Sequence, residues 1–535
     1  MTVPESDADA ARYVLAVDQG TSATKALLVD ESGAVRTAAS VPIAQSHPRP
    51  GWAEQDAEEI WTSVRDAVAA CLRGQDPGRV LAVGLSTQRE STLLWERATG
   101  RPVAPLLGWQ DSRGAQLCDR IRAAGDGERV REVSGLPLDP MFSASKATWL
   151  LDAHDPDRRR GRAGELCLGT VDSWLLWRLT GEHVIEAGNA ARTQLLDLAR
   201  RTWDPWLLDL FGVPAEALPH VVASTGPFPA ARGLDPLPAT VPVTGVLGDS
   251  HAALFAHAGW RAGQVKATYG TGSSVMGLTD RVDLASPGLA RTLAWETDKP
   301  SFALEGNIRS SGATLVWLAD LLGTTPAALA AIAADSSDGV LLVPAFTGLG
   351  APWWDDRAAA LLTGFTFGTR AEHLARAALE SIAFQVEDVV AEVEREVGWV
   401  GTVLADGGPT DNPLLMQLQA DTSGRDVERA KARDLSALGA AHMAGLGVGL
   451  WSMSELDSLP RERESYHPKS GSDQRTQRQG AWHDAVARAR GAGVAPRPVG
   501  AQAVGSQAVG SPAVGSQTGG QRTGGPHSTK GGEPT

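Results

Sequence analysis

The spacing of apolar positions along the chain predicts a mixture of strands and helices. Short apolar runs at 80–85, 241–246 and 339–343 are typical of buried strands. Residues 56–73 and 369–395 instead place their apolar side chains on one helical stripe each. Strands that alternate with helices over this length indicate α/β domains.

Both helical stripes begin with residues that favour a helix start. Asp56 with Glu59, and Thr369 with Glu372, have the spacing of a capping pair, in which each side chain accepts a hydrogen bond from the other residue's backbone amide. A further helix around 481–490 is predicted to be the last ordered element.

Two stretches far apart in the chain share one pattern of strand, small-residue turn and strand. In 14–33 the first apolar run ends at Asp18 and the turn contains Gly20, whereas in 265–278 the turn contains Gly270 followed by Thr271. The repetition suggests two related domains, each beginning with a phosphate-type turn. The alternative is a pair of ordinary β-hairpin turns.

The composition of these turns suits an anionic ligand. Glycine permits a positive φ and close approach of a ligand to the backbone, and successive amides form a concave donor site for phosphate. A carboxylate beside such a site repels a polyphosphate unless a cation lies between them, so Asp18 and Asp249, each at the end of an apolar run, are candidates to face Mg²⁺. The sequence contains no Gly-Lys dipeptide, which excludes a Walker-type loop.

Charge and cysteine content narrow the classes of partner. The 535-residue chain has a formal net charge of -14, which argues against nucleic acid or an anionic membrane as the main partner. Its three cysteines indicate a reducing compartment, and Cys71 lies on a predicted apolar helix face as buried filler. No signal pattern opens the sequence and no apolar stretch approaches the roughly 18 residues of a membrane span, so we expect a cytoplasmic protein.

The composition changes near the C-terminus, where a five-residue Gly/Ser/Ala repeat leaves almost nothing to bury. We therefore expect four segments: an N-terminal extension over 1–11, a first domain over 12–256, a second domain over 257–490 and a disordered tail over 491–535.

Eleven motifs along the globular part, taken together, resemble the FGGY family of carbohydrate kinases, most closely its glycerol-phosphorylating members. They follow the family order and are DQGTSATK (18–25), GWAEQDAEEIW (51–61), STQRESTLLWERATGRP (86–102), GWQDSR (108–113), DPMFSASK (139–146), GTVDSWLLWRLTG (169–181), GDSHAALF (248–255), TYGTGSS (268–274), PAFTGLGAPWWD (344–355), ALESIAFQ (378–385) and LADGGPTDNPLLMQ (404–417). The resemblance implies two ribonuclease-H-like domains of the actin and hexokinase type, which flank a cleft for ATP and substrate.

The resemblance also implies roles for individual residues. The phosphates of ATP would be held by Gly20, Thr21, Ser22, Lys25, Gly270, Thr271 and Gly272. The rest of the nucleotide site would be lined by Gly312, Gly408 and Asn412. Mg²⁺ would face Asp18 and Asp249. A polyol or sugar would contact Arg89, Glu90, Trp109, Met141, Asp249 and Ser250, and Asp249 would accept the proton of the attacking hydroxyl.

Each of these residues also has a structural interpretation. An Arg89–Glu90 pair is usually a solvated surface pair, and Asp249 could be the N-cap of a helix over 250–257. His251 is expected to be structural rather than catalytic, since no residue pairs with it by spacing.

The substrate pocket departs from the pattern of the glycerol-phosphorylating members at three positions. Met141 replaces a tyrosine, Ser250 replaces a glutamine, and Ser274 replaces an apolar aromatic residue. The hypothesis is a roomier pocket: glycerol is the leading substrate, and a four- or five-carbon polyol or ketose is the alternative. On the nucleotide side, Val316 replaces an amide-bearing residue.

Two functions of other classes remain open at this point. A non-catalytic relative could sense a sugar, and an actin- or chaperone-like ATPase could use the same fold. The segment before the strand at 241–246 lacks the glycine- and lysine-rich loop that binds an inhibitory sugar bisphosphate in enteric relatives, so we expect no such inhibition. The family resemblance allows a homodimer or homotetramer but identifies no interface.

Overall fold

A computed structural model describes residues 11–282 and 286–491. The predicted disordered tail, apart from residue 491, and the predicted N-terminal extension, apart from residue 11, lie outside the described residues. The division of the chain near residue 256 stays a prediction.

The strands are numbered in chain order. They are β1 (Tyr13–Gln19), β2 (Ala23–Asp30), β3 (Val35–Pro42), β4 (Glu54–Gln55), β5 (Val80–Thr87), β6 (Thr92–Glu96), β7 (Leu106–Leu107), β8 (Leu166–Thr170), β9 (Val184–Glu186), β10 (Leu196–Asp197), β11 (Thr202–Trp203), β12 (His220–Val222), β13 (Val243–Gly248), β14 (Gln264–Tyr269), β15 (Ser273–Thr279), β16 (Ala290–Glu296), β17 (Pro300–Ile308), β18 (Leu341–Val343), β19 (Leu361–Thr363), β20 (Thr402–Asp406), β21 (Asp426–Ala430) and β22 (Arg463–Tyr466).

The helices are numbered in the same way. They are α1 (Ala57–Cys71), α2 (Ala115–Ala124), α3 (Gly127–Ser134), α4 (Ser143–His154), α5 (Arg159–Arg162), α6 (Val171–Thr180), α7 (Ala187–Ala191), α8 (Pro205–Phe211), α9 (Asp249–Ala256), α10 (Gly312–Leu321), α11 (Pro326–Ala331), α12 (Ala371–Val397), α13 (Pro413–Ser423), α14 (Leu435–Gly447), α15 (Met453–Ser458) and α16 (Ser472–Gly491). Within the described ranges, no helix is both long and apolar enough to cross a bilayer.

The first large sheet has the strand order β13-β5-β1-β2-β3. β1 and β2 form an antiparallel hairpin, whereas β5 runs parallel to both β1 and β13. Because the carboxyl ends of parallel strands meet at one edge of a sheet, the residues that follow β1, β5 and β13 are brought together. This edge carries the candidate site.

The second large sheet has the strand order β16-β17-β15-β14-β20-β21-β22. β14 and β15 form an antiparallel hairpin, and β20 runs parallel to β14. In both sheets the first strand of the hairpin pairs antiparallel with the second strand and parallel with its other neighbour. Both hairpins of the repeated sequence pattern are confirmed.

The helix predictions are confirmed in position, and Asp56 is the N-cap of α1 as predicted. Its carboxylate accepts from the Glu58 amide at 2.8 Å and from the Glu59 amide at 3.4 Å. The Glu59 carboxylate accepts from the Ala44 amide at 2.9 Å instead of from the Asp56 amide, so the second half of the predicted pair is wrong. α12 begins after Arg370, so its predicted capping by Thr369 and Glu372 is wrong. The Thr369 hydroxyl instead accepts from the Thr366 amide and closes the preceding turn.

α14 lies late in the chain but packs on the first sheet, against β1, β5 and β13. Glycines on two of these strands allow the approach. A Cβ on Gly84 would lie 2.7 Å from the Ala440 carbonyl carbon, and one on Gly245 would lie 2.7 Å from Ala444 Cα. The Thr244 hydroxyl also donates to the Ala444 carbonyl at 2.8 Å. The first sheet is therefore covered on this face by the C-terminal part of the chain.

Candidate functional site

Three predicted residues meet at the edge where the parallel strands of the first sheet end. Asp18 lies near the end of β1, Arg89 lies two residues beyond β5, and Asp249 opens α9 directly after β13. The Nε atom of Arg89 lies 3.3 Å from Asp249 Oδ1. The sequence therefore brings a guanidinium and two carboxylates together from segments more than 60 residues apart.

Asp249 has the surroundings of a proton acceptor. Desolvation raises the pKa of Asp249 above its usual value, the Arg89 charge opposes this, and the Glu90 charge adds to it. The helix begins at Asp249 with Gly248 in the N-cap position, so the N-cap interpretation of Asp249 is wrong. The side chain is 38% exposed and open to a ligand.

Asp18 is the second carboxylate of the site. Its Oδ1 atom accepts a hydrogen bond from the Ser86 hydroxyl at 2.8 Å. Burial raises the pKa of Asp18 to about 6, and the negative charge of Asp249 contributes to the shift. Two neighbouring carboxylates, both with a raised pKa, are a favourable place for a cation.

Arg89 and Glu90 are buried, so their interpretation as a solvated surface pair is wrong. Arg89 makes a bidentate pair with Glu305 of β17, with Nη2 to Oε1 at 2.7 Å and Nη1 to Oε2 at 3.0 Å. Arg192 donates from Nε to Glu90 Oε1 at 2.6 Å and places its Nη1 2.7 Å from Glu305 Oε2. Two arginines and two glutamates thus form one charge network under the site.

The backbone at Glu90 is held in an unusual conformation. Glu90 has a φ of 61°, in the left-handed region that a residue with a Cβ rarely adopts. The Ser143 hydroxyl donates to the Glu90 carbonyl at 3.0 Å, and the Thr92 hydroxyl donates to it at 3.1 Å. Such strain is retained where the surrounding structure fixes a side chain for function.

The first hairpin turn presents its hydroxyl groups beside Trp109. The Trp109 indole Nε1 donates to the Thr21 hydroxyl at 3.1 Å, and Ser22 at the tip is exposed. Gly20 closes the turn by donating to the Ala23 carbonyl at 3.0 Å. Lys25, predicted to hold phosphate, is bound to the Asp434 carboxylate at 2.8 Å.

The second hairpin turn is joined to the start of α10. The Gly312 amide donates to the Gly270 carbonyl at 2.9 Å, and the Ser311 amide donates to the Thr271 carbonyl at 2.9 Å. A Cβ on Gly272 would overlap the Ile308 carbonyl oxygen of β17. Gly272 is therefore required for close packing. The expected positive φ is found at none of Gly20, Gly270 and Gly272.

Gly408 and Asn412 follow β20, next to the second turn. A Cβ on Gly408 would meet no atom within 4 Å, so this backbone faces open space. The preceding Gly407 has a φ of 97° and packs against the Tyr269 carbonyl. Asn412 is the N-cap of α13, where its side chain accepts from the Leu414 amide at 2.9 Å.

Met141 and Ser250 occupy different positions in the site. The Met141 side chain packs against an apolar cluster that contains Phe142 and Ala290. Ser250 follows Asp249, and its carbonyl accepts from the buried Lys266 ammonium at 3.2 Å. Of the two, only Ser250 is adjacent in sequence to Asp249, the candidate base.

Four charged residues of the site were missed by the sequence analysis: Glu305, Arg192, Lys146 and Lys266. All four are completely buried. Lys146 donates to the carbonyls of Pro140 and Phe142 at 3.1 Å each, and burial lowers its pKa to about 8. His251, expected to be structural, is buried with its Nε2 atom 3.3 Å from Arg89 Nη1.

The two carboxylates of the site suit Mg²⁺ better than a metal ion whose ligands are all protein side chains. Among the described residues, no group of three or more His, Cys, Asp or Glu side chains could hold a metal ion. Mg²⁺ is ordinarily bound by one or two carboxylates together with phosphate oxygens and water. Asp18 and Asp249 are the two carboxylates that would hold such an ion.

The sequence matches the models of a single family along most of its length. The N-terminal domain of the FGGY family of carbohydrate kinases matches residues 13–256, and the C-terminal domain of the same family matches residues 265–448. The crystal structure of Plasmodium falciparum glycerol kinase with ADP superposes with a TM-score of 0.84 at 29% identity, covering 90% of this chain and 98% of that one.

Relatives with assigned names agree with this match. A glycerol kinase of Aromatoleum aromaticum is 46% identical over 491 residues, which are 90% of this chain and 99% of the relative. An apulose kinase of Pectobacterium atrosepticum is 40% identical over 486 residues, which are 89% of this chain and 98% of the relative. The chain therefore has the actin- and hexokinase-like fold and belongs to the FGGY family of carbohydrate kinases, phosphotransferases that act on hydroxyl groups.

Proposed function

We propose that this protein transfers the γ-phosphoryl group of ATP to a terminal hydroxyl of a small polyol, with glycerol, which would give glycerol 3-phosphate, as the leading substrate. The observation that carries the proposal is the pairing of Asp249 with Arg89, 3.3 Å apart at the edge where the strands of the first sheet end. Two relatives are named glycerol kinase and apulose kinase, and these names support a small polyol or sugar as the substrate class.

Asp249 would accept the proton of the attacking hydroxyl as the oxygen bonds to phosphorus. Its raised pKa, caused mainly by desolvation, makes it a better proton acceptor than an ordinary aspartate. Arg89 offers donors and Glu90 an acceptor to the neighbouring hydroxyls of the polyol. The Trp109 ring would lie against the carbon chain.

The two hairpin turns would hold the phosphates from both sides. Thr21 and Ser22 present hydroxyls from the first turn, and Thr271 is exposed at the tip of the second. Lys25 would leave Asp434 for a phosphate oxygen on closure of the site. Gly312, Gly408 and Asn412 would line the remainder of the nucleotide site, as the family resemblance implies.

Mg²⁺ would be held between Asp18, Asp249 and the phosphates. The ion supplies charge neutralisation for the transferred group. Asp18 contributes no proton transfer in this scheme, because its Oδ1 atom is engaged by the Ser86 hydroxyl and its carboxylate is needed in ionised form.

A coupled assay of ADP formation tests the proposal. With glycerol and MgATP, we expect ADP to form only when the polyol is present, and Asp249→Asn to lower kcat by about a hundredfold or more. The matched control is Asp56→Asn, at another helix start outside the site, since asparagine caps a helix about as well as aspartate.

Three outcomes would contradict the proposal. Turnover of Asp249→Asn close to that of the wild type would remove Asp249 from its role as base. Polyol binding in calorimetry without any ADP formation would favour the non-catalytic sensor. ADP formation that is independent of added polyol would favour an ATPase.

A further inference from the structure

Lys25 and Asp434 form an ion pair between the first hairpin and a segment far along the chain. The Lys25 ammonium donates to Asp434 Oδ1 at 2.8 Å, although the two residues are 409 positions apart. Their side chains are 39% and 34% exposed, so a ligand can reach the pair. Asp434 directly precedes α14, the helix that covers the first sheet.

The pair lies beside the carboxylate that is proposed to face Mg²⁺. In the β1–β2 hairpin Lys25 is directly opposite Asp18, and residues paired in this way project from the same face. Besides burial, which is the largest cause, the charge of Asp434 raises the pKa of Asp18, whereas the charge of Lys25 lowers it. Lys25 and Asp434 therefore act on the same place in which the phosphates of ATP are proposed to bind.

The position of Asp434 at a helix start does not account for its side chain. An aspartate at the N-cap ordinarily accepts a hydrogen bond from one of the first helical amides. Within the part of the chain that the structure describes, the Asp434 side chain makes no such capping bond to α14. The carboxylate is thus engaged with Lys25 and not with its own helix.

The start of α14 is held in place independently of Lys25. The Ser436 hydroxyl donates to the Asp249 carbonyl at 3.1 Å, and the helix packs against β1, β5 and β13. Lysine, by contrast, carries its charge on a flexible four-carbon stem. When a ligand enters, Lys25 is therefore the partner that can move, and the Asp434 carboxylate stays where it is.

The ion pair reduces what Lys25 can contribute to nucleotide binding. A paired ammonium and carboxylate have no net charge, and the carboxylate repels a polyphosphate. A phosphate oxygen that approaches Lys25 must either displace Asp434 or share the ammonium with it. In both cases the phosphate gains less than it would from an unpaired lysine.

We infer that the Asp434 carboxylate competes with the phosphates of ATP for the Lys25 ammonium and thereby limits the affinity of the site for the nucleotide. The inference rests on the proposed function, since it concerns the regulation of the same site. Asp434 itself touches neither the polyol nor the transferred group in this scheme.

Calorimetric titration with the non-hydrolysable ATP analogue AMP-PNP and Mg²⁺ tests the inference. We expect Asp434→Asn to lower Kd by about two- to fivefold, the range that a partly exposed ion pair supplies. Asp434→Ser repeats the measurement with another side chain that suits a helix start. The matched control is Asp457→Asn, which removes the same charge from an exposed pair with Arg261 of 2.8 Å and should leave Kd unchanged.

A second background separates competition for Lys25 from simple repulsion of the phosphates. Lys25→Met removes the ammonium, so Asp434 has nothing left to withhold from the nucleotide. We expect Lys25→Met to raise Kd, and Asp434→Asn to have no further effect when it is added to Lys25→Met.

Three results would overturn the inference. A Kd that is unchanged in both Asp434→Asn and Asp434→Ser would show that the pair does not limit affinity, and a raised Kd would show that Asp434 orients Lys25 for binding. An equal decrease with and without Lys25 would assign the effect to repulsion between Asp434 and the phosphates. Absence of AMP-PNP binding to the wild type would instead overturn the proposed function.

Discussion

The Arg89 guanidinium and the Glu305 carboxylate meet in two parallel hydrogen bonds of 3.0 and 2.7 Å, although the two residues are 216 positions apart. Arg89 follows β5 of the first sheet and Glu305 lies in β17 of the second. A bidentate pair of this kind is stronger and more directional than a single contact. The two sheets are therefore tied together beneath the candidate base, and the direction of the arginine side chain is set by this tie.

Glu305→Gln is expected to destabilise the protein by about 3–5 kcal/mol at pH 7, because it leaves two buried arginines with one carboxylate fewer. Chemical denaturation measures the effect. The control is Glu58→Gln, which breaks an exposed pair with Arg178 and should cost about 1 kcal/mol or less.

The same variant has a defined pH dependence. The pKa of Glu305 is lowered in the folded state, so its contribution is fully present above its unfolded value of 4.5 and is lost as the pH falls below that value. We expect the stability difference between wild type and Glu305→Gln to narrow below pH 4.5. A difference that stays constant down to pH 3 would show that the Glu305 charge is not responsible.

Gly248→Ala is expected to displace Arg89. A Cβ at this position would lie 2.6 Å from both Cγ and Cδ of Arg89, so the side chain must move away from Asp249. We expect kcat/KM for the polyol to fall by about tenfold or more, equivalent to about 1.4 kcal/mol. Steady-state kinetics with varied polyol measures the loss.

Gly480→Ala serves as the control for that substitution. Gly480 lies in α16 with no atom within 4 Å of the added carbon, and alanine favours helix over glycine. Kinetic constants equal to those of the wild type are expected for Gly480→Ala. The same result for Gly248→Ala would contradict the role of Gly248 in placing Arg89.

Alanine at two adjacent glycines after β20, Gly407 and Gly408, should affect different properties of the protein: stability at the first and ATP binding at the second. At Gly408 the added carbon faces open space, so the protein should fold normally while KM for ATP rises, because the methyl group would enter the proposed nucleotide site. At Gly407, alanine would overlap the Tyr269 carbonyl at a φ of 97°, so it should lower the thermal midpoint instead.

Thermal unfolding and ATP-dependent kinetics on the two variants check this contrast. An unchanged KM for ATP in Gly408→Ala would place the nucleotide elsewhere. Equal thermal midpoints for Gly407→Ala and the wild type would show that the loop relaxes around the added carbon.

The raised pKa of Asp18 predicts that activity falls on the acid side of the pH–rate profile. Burial raises its pKa to about 6, and only the ionised carboxylate can face Mg²⁺, so kcat/KM for MgATP should fall as the pH decreases through about 6. Asp18→Asn should lower kcat/KM and also flatten this limb.

Asp172→Asn is the matched control for the pH profile. Asp172 is also buried with a pKa raised to about 6, but it lies in α6, where it accepts from the Glu186 amide at 3.0 Å. The acid limb should persist in this variant. If the acid limb disappeared in Asp172→Asn and persisted in Asp18→Asn, the titrating group would be Asp172 and the prediction for Asp18 would be wrong.

The hairpins and the strand-end carboxylates could be predicted because their signals are local. Asp18 and Asp249 each follow a buried run, and parallel strands bring such ends to one edge. Glu305 and Arg192 carry no comparable signal, since their roles arise from partners more than 100 positions away. The cap of α12 was misassigned for a related reason: the Thr369 hydroxyl is already used in the turn before the helix.

The packing of α14 on Gly84 and Gly245 has a consequence for biosynthesis. The ribosome must complete residue 447 before the first sheet can receive the helix that covers it. A fragment that stops at residue 256 would expose a glycine-lined apolar face to water and to other nascent chains. We therefore expect this half, when expressed alone, to require a chaperone or to aggregate, and co-expression of the remaining chain to recover soluble protein.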